Sequence, residues 1–111
     1  MTVDEPRFAA AIRGEDGVEA FDSIECLLRR IRRSGGIAPA GTWLADYEEE
    51  SLHPASSMTV VAGGFPSPMG GGYAAFHDPA QARDTATARQ GVAGSLAEFA
   101  SGRITPPPVR P

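Results

Sequence analysis

The chain has 111 residues, of which 41% are hydrophobic and 22% are charged, so it forms one small domain or two half-size units that share a core. Its net charge of -4 argues against nucleic acid as a general partner, because such binding depends on a basic face that neutralises phosphates. A single cysteine, Cys26, excludes an internal disulfide and any multi-cysteine zinc site. No stretch is long and apolar enough for a membrane span, and no signal peptide follows Met1, which read literally predicts a cytoplasmic chain.

The first predicted elements are a β-hairpin and an amphipathic helix. Residues 7–21 alternate weakly around the turn signal at residues 14–17, which favours a hairpin. In the following helix Asp22 is the expected N-cap and Glu25 its capping-box partner. An apolar stripe at helical spacing continues to Ile31, and the arginines at positions 29–33 complement the helix dipole before a Ser-Gly-Gly stop.

Three further strands and two helices are predicted downstream. A strand over residues 42–47 leads into an acidic connection, and the run "DYEEE" at residues 46–50 is expected to be a solvated loop. A second strand covers residues 56–64. After a glycine turn a short strand ends in Phe76, and Asp78 caps an alanine-rich helix that ends near Gly91. Ser95 and Glu98 form the capping box of the last helix, and residues 106–111 are expected to be a proline-rich disordered tail.

The two halves of the chain share a local sequence pattern. Phe21 and Phe76 each end a strand and are followed by an aspartate helix cap, and a hairpin pattern precedes each of them. We therefore predict an α+β fold of two similar ββαβ-like halves, an internal duplication, packed as one small domain. The first half covers residues 1–55, and the second covers residues 56–105 with the C-terminal helix.

Met69 is the most informative candidate for chemistry. It stands in "SPMGGGYAAFHDP", where a proline and three glycines predict a loop that offers no place to bury a thioether. One interpretation folds the side chain back onto the sheet. The other makes Met69 a soft ligand, of the kind that selects Cu(I).

Three other side chains are of types that can bind a metal ion. His77 follows the strand that leads out of the Met69 loop, and it is either a metal ligand or a surface residue next to the helix cap. His53 has no partner close in sequence and is not assigned a role. Cys26 points away from the apolar stripe of its helix, so it either packs against the other half of the fold or presents a thiolate to a soft metal.

Enzyme motifs are missing from the sequence. There is no G-x-S-x-G, P-loop or zincin pattern, and a nucleophilic pair of Cys26 with a histidine is the one catalytic alternative. The chain is therefore expected not to be an enzyme.

Several segments together resemble the NosL family of nitrous oxide reductase accessory proteins, which are periplasmic copper chaperones. The matching segments are "MTVDEPRFAAAI", "FDSIECLL", "WLADYEEESLHPASSMTVV" and above all "SPMGGGYAAFHD". The resemblance implies Cu(I) binding through sulfur, with Met69 as the family's methionine ligand and Met1 as the methionine that closes a cysteine-containing segment. His77 and Cys26 are the further candidate ligands.

The resemblance also sets expectations about location and partners. The family's lipoprotein signal and N-terminal cysteine are not in the sequence, and we expect them upstream of Met1, so that the protein is periplasmic or membrane-anchored. The expected partner is a recipient copper enzyme, by resemblance nitrous oxide reductase, or a copper-handling membrane complex. The alternative is a small interaction module without metal, which binds a protein through its acidic loop or through the helix face at Arg29 to Arg33.

Overall fold

The fold places two antiparallel sheets and three helices around a shared core, as seen in a computed structural model that describes residues 6–63 and 72–106. The first sheet has the strand order β2-β1-β3-β4, where the strands are β1 (Ala10–Gly14), β2 (Gly17–Phe21), β3 (Thr42–Ala45) and β4 (Leu52–Pro54). The second sheet has the order β6-β5-β7, with β5 (Thr59–Ala62), β6 (Tyr73–Phe76) and β7 (Val92–Gly94). The helices are α1 (Ile24–Arg33), α2 (Pro79–Ala88) and α3 (Leu96–Ser101). The predicted α+β class is thus confirmed.

The first hairpin forms where the turn signal predicts it. Gly14 pairs with Gly17 and Ala10 pairs with Phe21, which leaves two residues in the turn. Gly17 has a φ of 122°, a left-handed value that glycine adopts without strain. Residues Pro6–Phe8, which precede β1, form a short 3₁₀ turn.

Helix α1 begins one residue later than the sequence predicts. Ser23, with an extended backbone, is the N-cap, and its hydroxyl accepts a hydrogen bond from the N–H of Cys26. The prediction of Asp22 as N-cap is therefore wrong, because the preceding strand ends at Phe21 and Asp22 is needed as the link to the helix. The predicted apolar stripe is confirmed, with four buried residues: Ile24, Leu27, Leu28 and Ile31.

The caps of the other two helices agree with the sequence. The carboxylate of Asp78 accepts from the N–H of Ala80 at the start of α2. Ser95 and Glu98 form both hydrogen bonds of a capping box at the start of α3, and Gly102 ends that helix in the left-handed region. The signals that place these helix ends are therefore local to the sequence.

Strands β4 and β7 were not predicted. Each has three residues, which is too short to show a two-residue alternation. β4 is held by pairing with β3, the strand before it, and β7 is held by pairing with β5, 30 residues earlier at Ala62 and Val92. The turn at Ala55–Ser57 joins β4 to β5 through a single 3₁₀ turn. Among the described residues, no helix is long and apolar enough to cross a membrane.

The main core joins the two sheets on the side where α1 packs against both of them. It contains the α1 stripe together with side chains from the first sheet, the second sheet and α3, among them Leu44, Val60 and Phe99. A second, smaller cluster lies on the other side of the second sheet, where α2 covers Val61 and Phe76. The second sheet is therefore covered on both faces.

The backbone just before β3 lies close to the first hairpin, and a substitution can test this contact. The N–H of Arg13 donates to the carbonyl of Gly41 at 2.8 Å, and a Cβ at position 41 would overlap the carbonyl oxygen of Arg13. We expect Gly41→Ala to lower the free energy of unfolding by roughly 1–3 kcal/mol, because the backbone must move apart. Urea denaturation measures the change. Gly14→Ala is the control, since a Cβ there meets nothing within 4 Å, and equal losses in both variants would contradict the argument.

Candidate functional site

Asp46 organises the end of the molecule where the two sheets meet. It follows β3 directly and is 3% exposed, although it belongs to the run that was expected to be a solvated loop. One carboxylate oxygen accepts from the backbone N–H groups of Glu48 and Glu49, at 3.0 and 2.8 Å. The other accepts from the N–H of His77, at 2.8 Å, across 31 residues of sequence. The expectation of a fully solvated run is therefore wrong at its first residue.

Three N–H donors keep this buried carboxylate ionised. Burial by itself raises the pKa of Asp46, but the N–H groups of His77, Glu49 and Glu48, together with the nearby His53, outweigh that effect. The pKa of this carboxyl consequently lies below its usual value. The negative charge is thus fixed beside the backbone of His77.

The backbone around Asp46 also bridges the two sheets. Asp46 forms an isolated parallel bridge with Ala75, and the N–H of Tyr47 donates to the carbonyl of Ala75 at 2.8 Å. Tyr47 in turn lies between two aromatic rings, Phe8 and Phe76, at centroid distances of 5.7 and 5.6 Å. This link brings β6 of the second sheet alongside the end of β3.

The two histidines of the chain meet at this junction. His53 lies on β4, opposite Leu44, and His77 follows the last residue of β6. Their rings stack with centroids 4.3 Å apart and planes inclined by 18°. His77 is exposed and His53 is half-buried, and the Nε2 atom of His53 lies 3.0 Å from the hydroxyl of Ser51. Two imidazoles from separate sheets therefore present one compact, accessible surface.

The described start of the chain reaches the same end of the molecule. The guanidinium of Arg7 lies 4.9 Å from the ring centroid of Tyr47 and 3.8 Å from the carboxylate of Glu50. These contacts hold the 3₁₀ turn before β1 next to the residue that follows Asp46. Met1, five residues upstream of that turn, lies outside the described residues.

Met69 also lies outside the described residues, within a segment whose two ends are described. That segment leaves β5 at Gly63 and rejoins the chain at Gly72, and the N–H of Gly63 donates to the carbonyl of Gly72 at 2.7 Å. His77 follows the opposite end of β6, about 16 Å away at the usual rise of a strand. The anchor of the Met69 segment and the histidine pair thus lie at opposite ends of one strand.

Cys26 occupies a different part of the surface. It is half-buried in the first turn of α1, and its thiol lies 3.6 Å from a carboxylate oxygen of Asp22. With Phe21 it lines an open groove between β2 and α1, within its own half of the fold. Within residues 6–63 and 72–106, no three histidine, cysteine or acidic side chains come together as a metal site.

Comparisons with family models, with curated proteins and with solved structures give no match to this chain. The NosL resemblance accordingly rests on the sequence segments that carry it, and the histidine pair rests on the geometry described above.

Sequence reasoning missed two of the residues that build this site. Asp46 was not singled out because one tyrosine and three glutamates follow it directly. His53 was assigned no role because no residue near it in sequence could pair with it. The signal that could have found Asp46 is its position directly after an apolar strand, where an aspartate favours a turn bonded to its own backbone. No local signal identifies His53, because its partner comes 24 residues later on another sheet.

The carboxylate of Asp46 allows a direct test by substitution. Asp46→Asn keeps one acceptor oxygen, so it can satisfy either His77 or the Glu48 and Glu49 amides but not both sides. We expect the free energy of unfolding to fall by about 2 kcal/mol, because buried N–H groups lose a charged acceptor. Asp78→Asn, at an exposed helix cap, is the matched control and should lower the free energy of unfolding by less than half as much. Urea denaturation at pH 7 measures both, and a larger loss in the control would contradict the assignment.

The lowered pKa of Asp46 also predicts how stability depends on pH. The folded state binds a proton at this site less readily than the unfolded chain, so the contribution of Asp46 is complete above about pH 4 and is lost as the pH falls through the lower folded pKa. We expect the difference in unfolding free energy between wild type and Asp46→Asn to shrink between pH 5 and pH 2, as followed by urea denaturation at each pH. A difference that stays constant over this range would show that the charge of Asp46 does not contribute.

Proposed function

We propose that this protein binds Cu(I) and delivers it to a partner metalloenzyme. The observation that carries the proposal is the accessible stack of His53 and His77, which Asp46 holds at the junction of the two sheets. The segment "SPMGGGYAAFHD", which resembles the NosL family, ends in the same His77 and supplies a thioether at Met69. Imidazole and thioether groups are both suitable ligands for copper.

His77 is the imidazole ligand of this proposal, and His53 is the residue that positions it. Stacked rings direct their nitrogens side by side, so the two imidazoles do not oppose one another across a single ion. His77 is the more exposed of the two, and its backbone is fixed by Asp46. His53 covers one face of the His77 ring and restricts its rotation, while its own Nε2 lies next to Ser51.

Sulfur ligands complete the proposed site. Met1 and Met69 are the candidates from the family resemblance. Cys26, the other sulfur candidate, lines the groove beside β2 and is not included in this site. The turn that leads to Met1 is fixed beside Tyr47, next to the histidine junction, which supports Met1 as a partner of His77. The described residues on either side of the Met69 segment, Gly63 and Gly72, lie at the other end of β6 from His77.

An exposed site with few ligands suits transfer better than storage. A recipient can replace the ligands one at a time, since neither an imidazole nor a thioether encloses the ion. The proposed recipient is a copper enzyme, by resemblance nitrous oxide reductase, or a copper-handling membrane complex. By the same resemblance we place the protein in the periplasm or on a membrane anchor, and we assign it no enzymatic activity.

We further infer that the two halves arose by duplication. Each half contains a hairpin, then a helix, then a strand that pairs antiparallel with the first strand of the hairpin. The orders β2-β1-β3 and β6-β5-β7 therefore correspond. This correspondence supports the repeat that Phe21 and Phe76 suggest in the sequence.

A titration with Cu(I) separates the two candidate methionines, Met1 and Met69, from the buried Met58. We expect Met69→Leu and Met1→Leu each to weaken Cu(I) binding by about tenfold or more, as measured by competition with a chromogenic Cu(I) chelator. The chain offers a matched control in Met58, which is 5% exposed in the main core, so Met58→Leu should leave the affinity unchanged. Equal affinities for wild type and for both variants would exclude the methionines as ligands.

Substitutions at the histidines distinguish ligation from positioning. We expect His77→Phe to weaken Cu(I) binding by about tenfold or more, because it keeps the stacked ring and removes the nitrogen donor. His53→Phe should retain most of the affinity, whereas His53→Ala should lower it several-fold because it also removes the stacking surface. The same chelator competition measures all three. Loss of affinity in His53→Phe equal to that in His77→Phe would show that both rings are ligands.

A further inference from the structure

A groove at the far edge of the first sheet has the chemistry of a binding surface. It has a volume of about 570 Å³ and is lined by residues 19–21 of β2 and by four residues of α1: Cys26, Arg29, Arg32 and Arg33. Strand β2 is the edge opposite β4, so this groove and the histidine pair lie at opposite edges of the sheet. Binding at this groove requires no metal and is independent of the proposed function.

The edge of β2 presents unpaired backbone groups to this groove. The N–H of Arg13 on β1 donates to Gly41, on the β3 side, so Arg13 directs its backbone groups away from β2. Arg13 stands opposite Val18, which therefore directs its own N–H and carbonyl away from β1. By the two-residue period, Ala20 does the same. Among the described residues no strand pairs with this edge, which is a template for one more strand.

The helix beside the edge carries concentrated positive charge in a chain whose net charge is -4. Cys26, Arg29 and Arg33 follow each other at helical spacing, on the side of α1 away from its core stripe. Arg29 is bound to Glu25 at 2.7 Å, and Arg32 donates to the carbonyl of Phe99. Arg33 forms no ion pair within the described part of the chain, so its charge is available to a ligand.

A second copy of this chain does not suit the edge. Symmetric pairing of β2 with β2 would place two α1 helices side by side and would bring their Arg29 and Arg33 side chains together. Like charges in that arrangement repel. An occupant that pairs with the edge and carries negative charge satisfies both features of the surface.

We propose that β2 and the arginine face of α1 together bind an extended acidic segment of a partner protein. The segment adds as a fifth strand along Val18 and Ala20, and its main-chain hydrogen bonds provide affinity. Alternate side chains then face α1, where aspartate or glutamate carboxylates pair with Arg29 and Arg33. A small apolar side chain enters the groove between Phe21 and Cys26.

The test uses a labelled peptide of alternating glutamate and valine, with fluorescence anisotropy as the measurement. We expect the peptide to bind wild type, an alternating lysine and valine peptide not to bind, and Arg33→Glu to weaken binding by about tenfold or more. Arg83→Glu, which makes the same charge change on exposed α2, should have little effect. Equal losses in these two variants would show attraction to overall charge only and would overturn the proposal.

Methylation of the peptide backbone tests strand pairing without changing the protein. N-methyl groups on one set of alternate residues should abolish binding, and N-methyl groups on the other set should be tolerated, because only alternate N–H groups of an added strand face β2. Equal tolerance of both sets, no binding of the acidic peptide, or a dimer through β2 in sedimentation experiments would each overturn the proposal.

Discussion

A buried carboxylate joins the two halves of this protein at the end where their sheets meet. Asp46 accepts hydrogen bonds from its own turn on one oxygen and from His77 of the other half on the second oxygen. A neutral side chain could satisfy only one of these directions, so an ionised carboxylate is the group that joins them. The position of His77, and hence the stacking with His53, depends on this one interaction.

The arrangement separates two surfaces with different chemistry. The histidine pair lies at the β4 edge, close to where the sheets meet, and the arginine groove lies at the β2 edge of the same sheet. Cys26, a candidate ligand for a soft metal by its position on the helix, belongs to the second surface. The proposed copper site and the proposed peptide-binding surface therefore occupy opposite edges of one sheet, and an acidic segment can bind at β2 without covering the histidines.

The parts of the fold that the sequence predicts are those controlled by neighbours in the chain. The α1 stripe, the capping box at Ser95 and the Asp78 cap are short-range patterns, and the structure confirms each of them. The hairpin at Gly14 and Gly17 is equally local. Chain-local chemistry thus accounts for the helices, for the first hairpin and for the strands long enough to show alternation.

The features that sequence reasoning missed depend on pairing and packing rather than on a local pattern, and most of them join distant residues. Strands β4 and β7 exist because a partner strand pairs with them, and their three residues carry no pattern of their own. The burial of Asp46 and the stacking of His53 arise only when the second sheet packs against the first. The candidate site was therefore half predictable: His77 was named from its neighbours, whereas His53 and Asp46 became visible only in the fold.

Helix α2 contributes much less of its own side-chain volume to the core than α1 does. It buries only two alanines, Ala82 and Ala86, against the outer face of the second sheet, whereas the α1 stripe fills the main core with four large side chains. Because a buried methyl group removes little apolar surface from water, most of the surface that α2 covers belongs to Val61 and Phe76 of the sheet. Local opening of α2 would expose these two residues while the main core stays closed. We expect α2 to open before α1, and it begins directly after Asp78, the cap that follows His77.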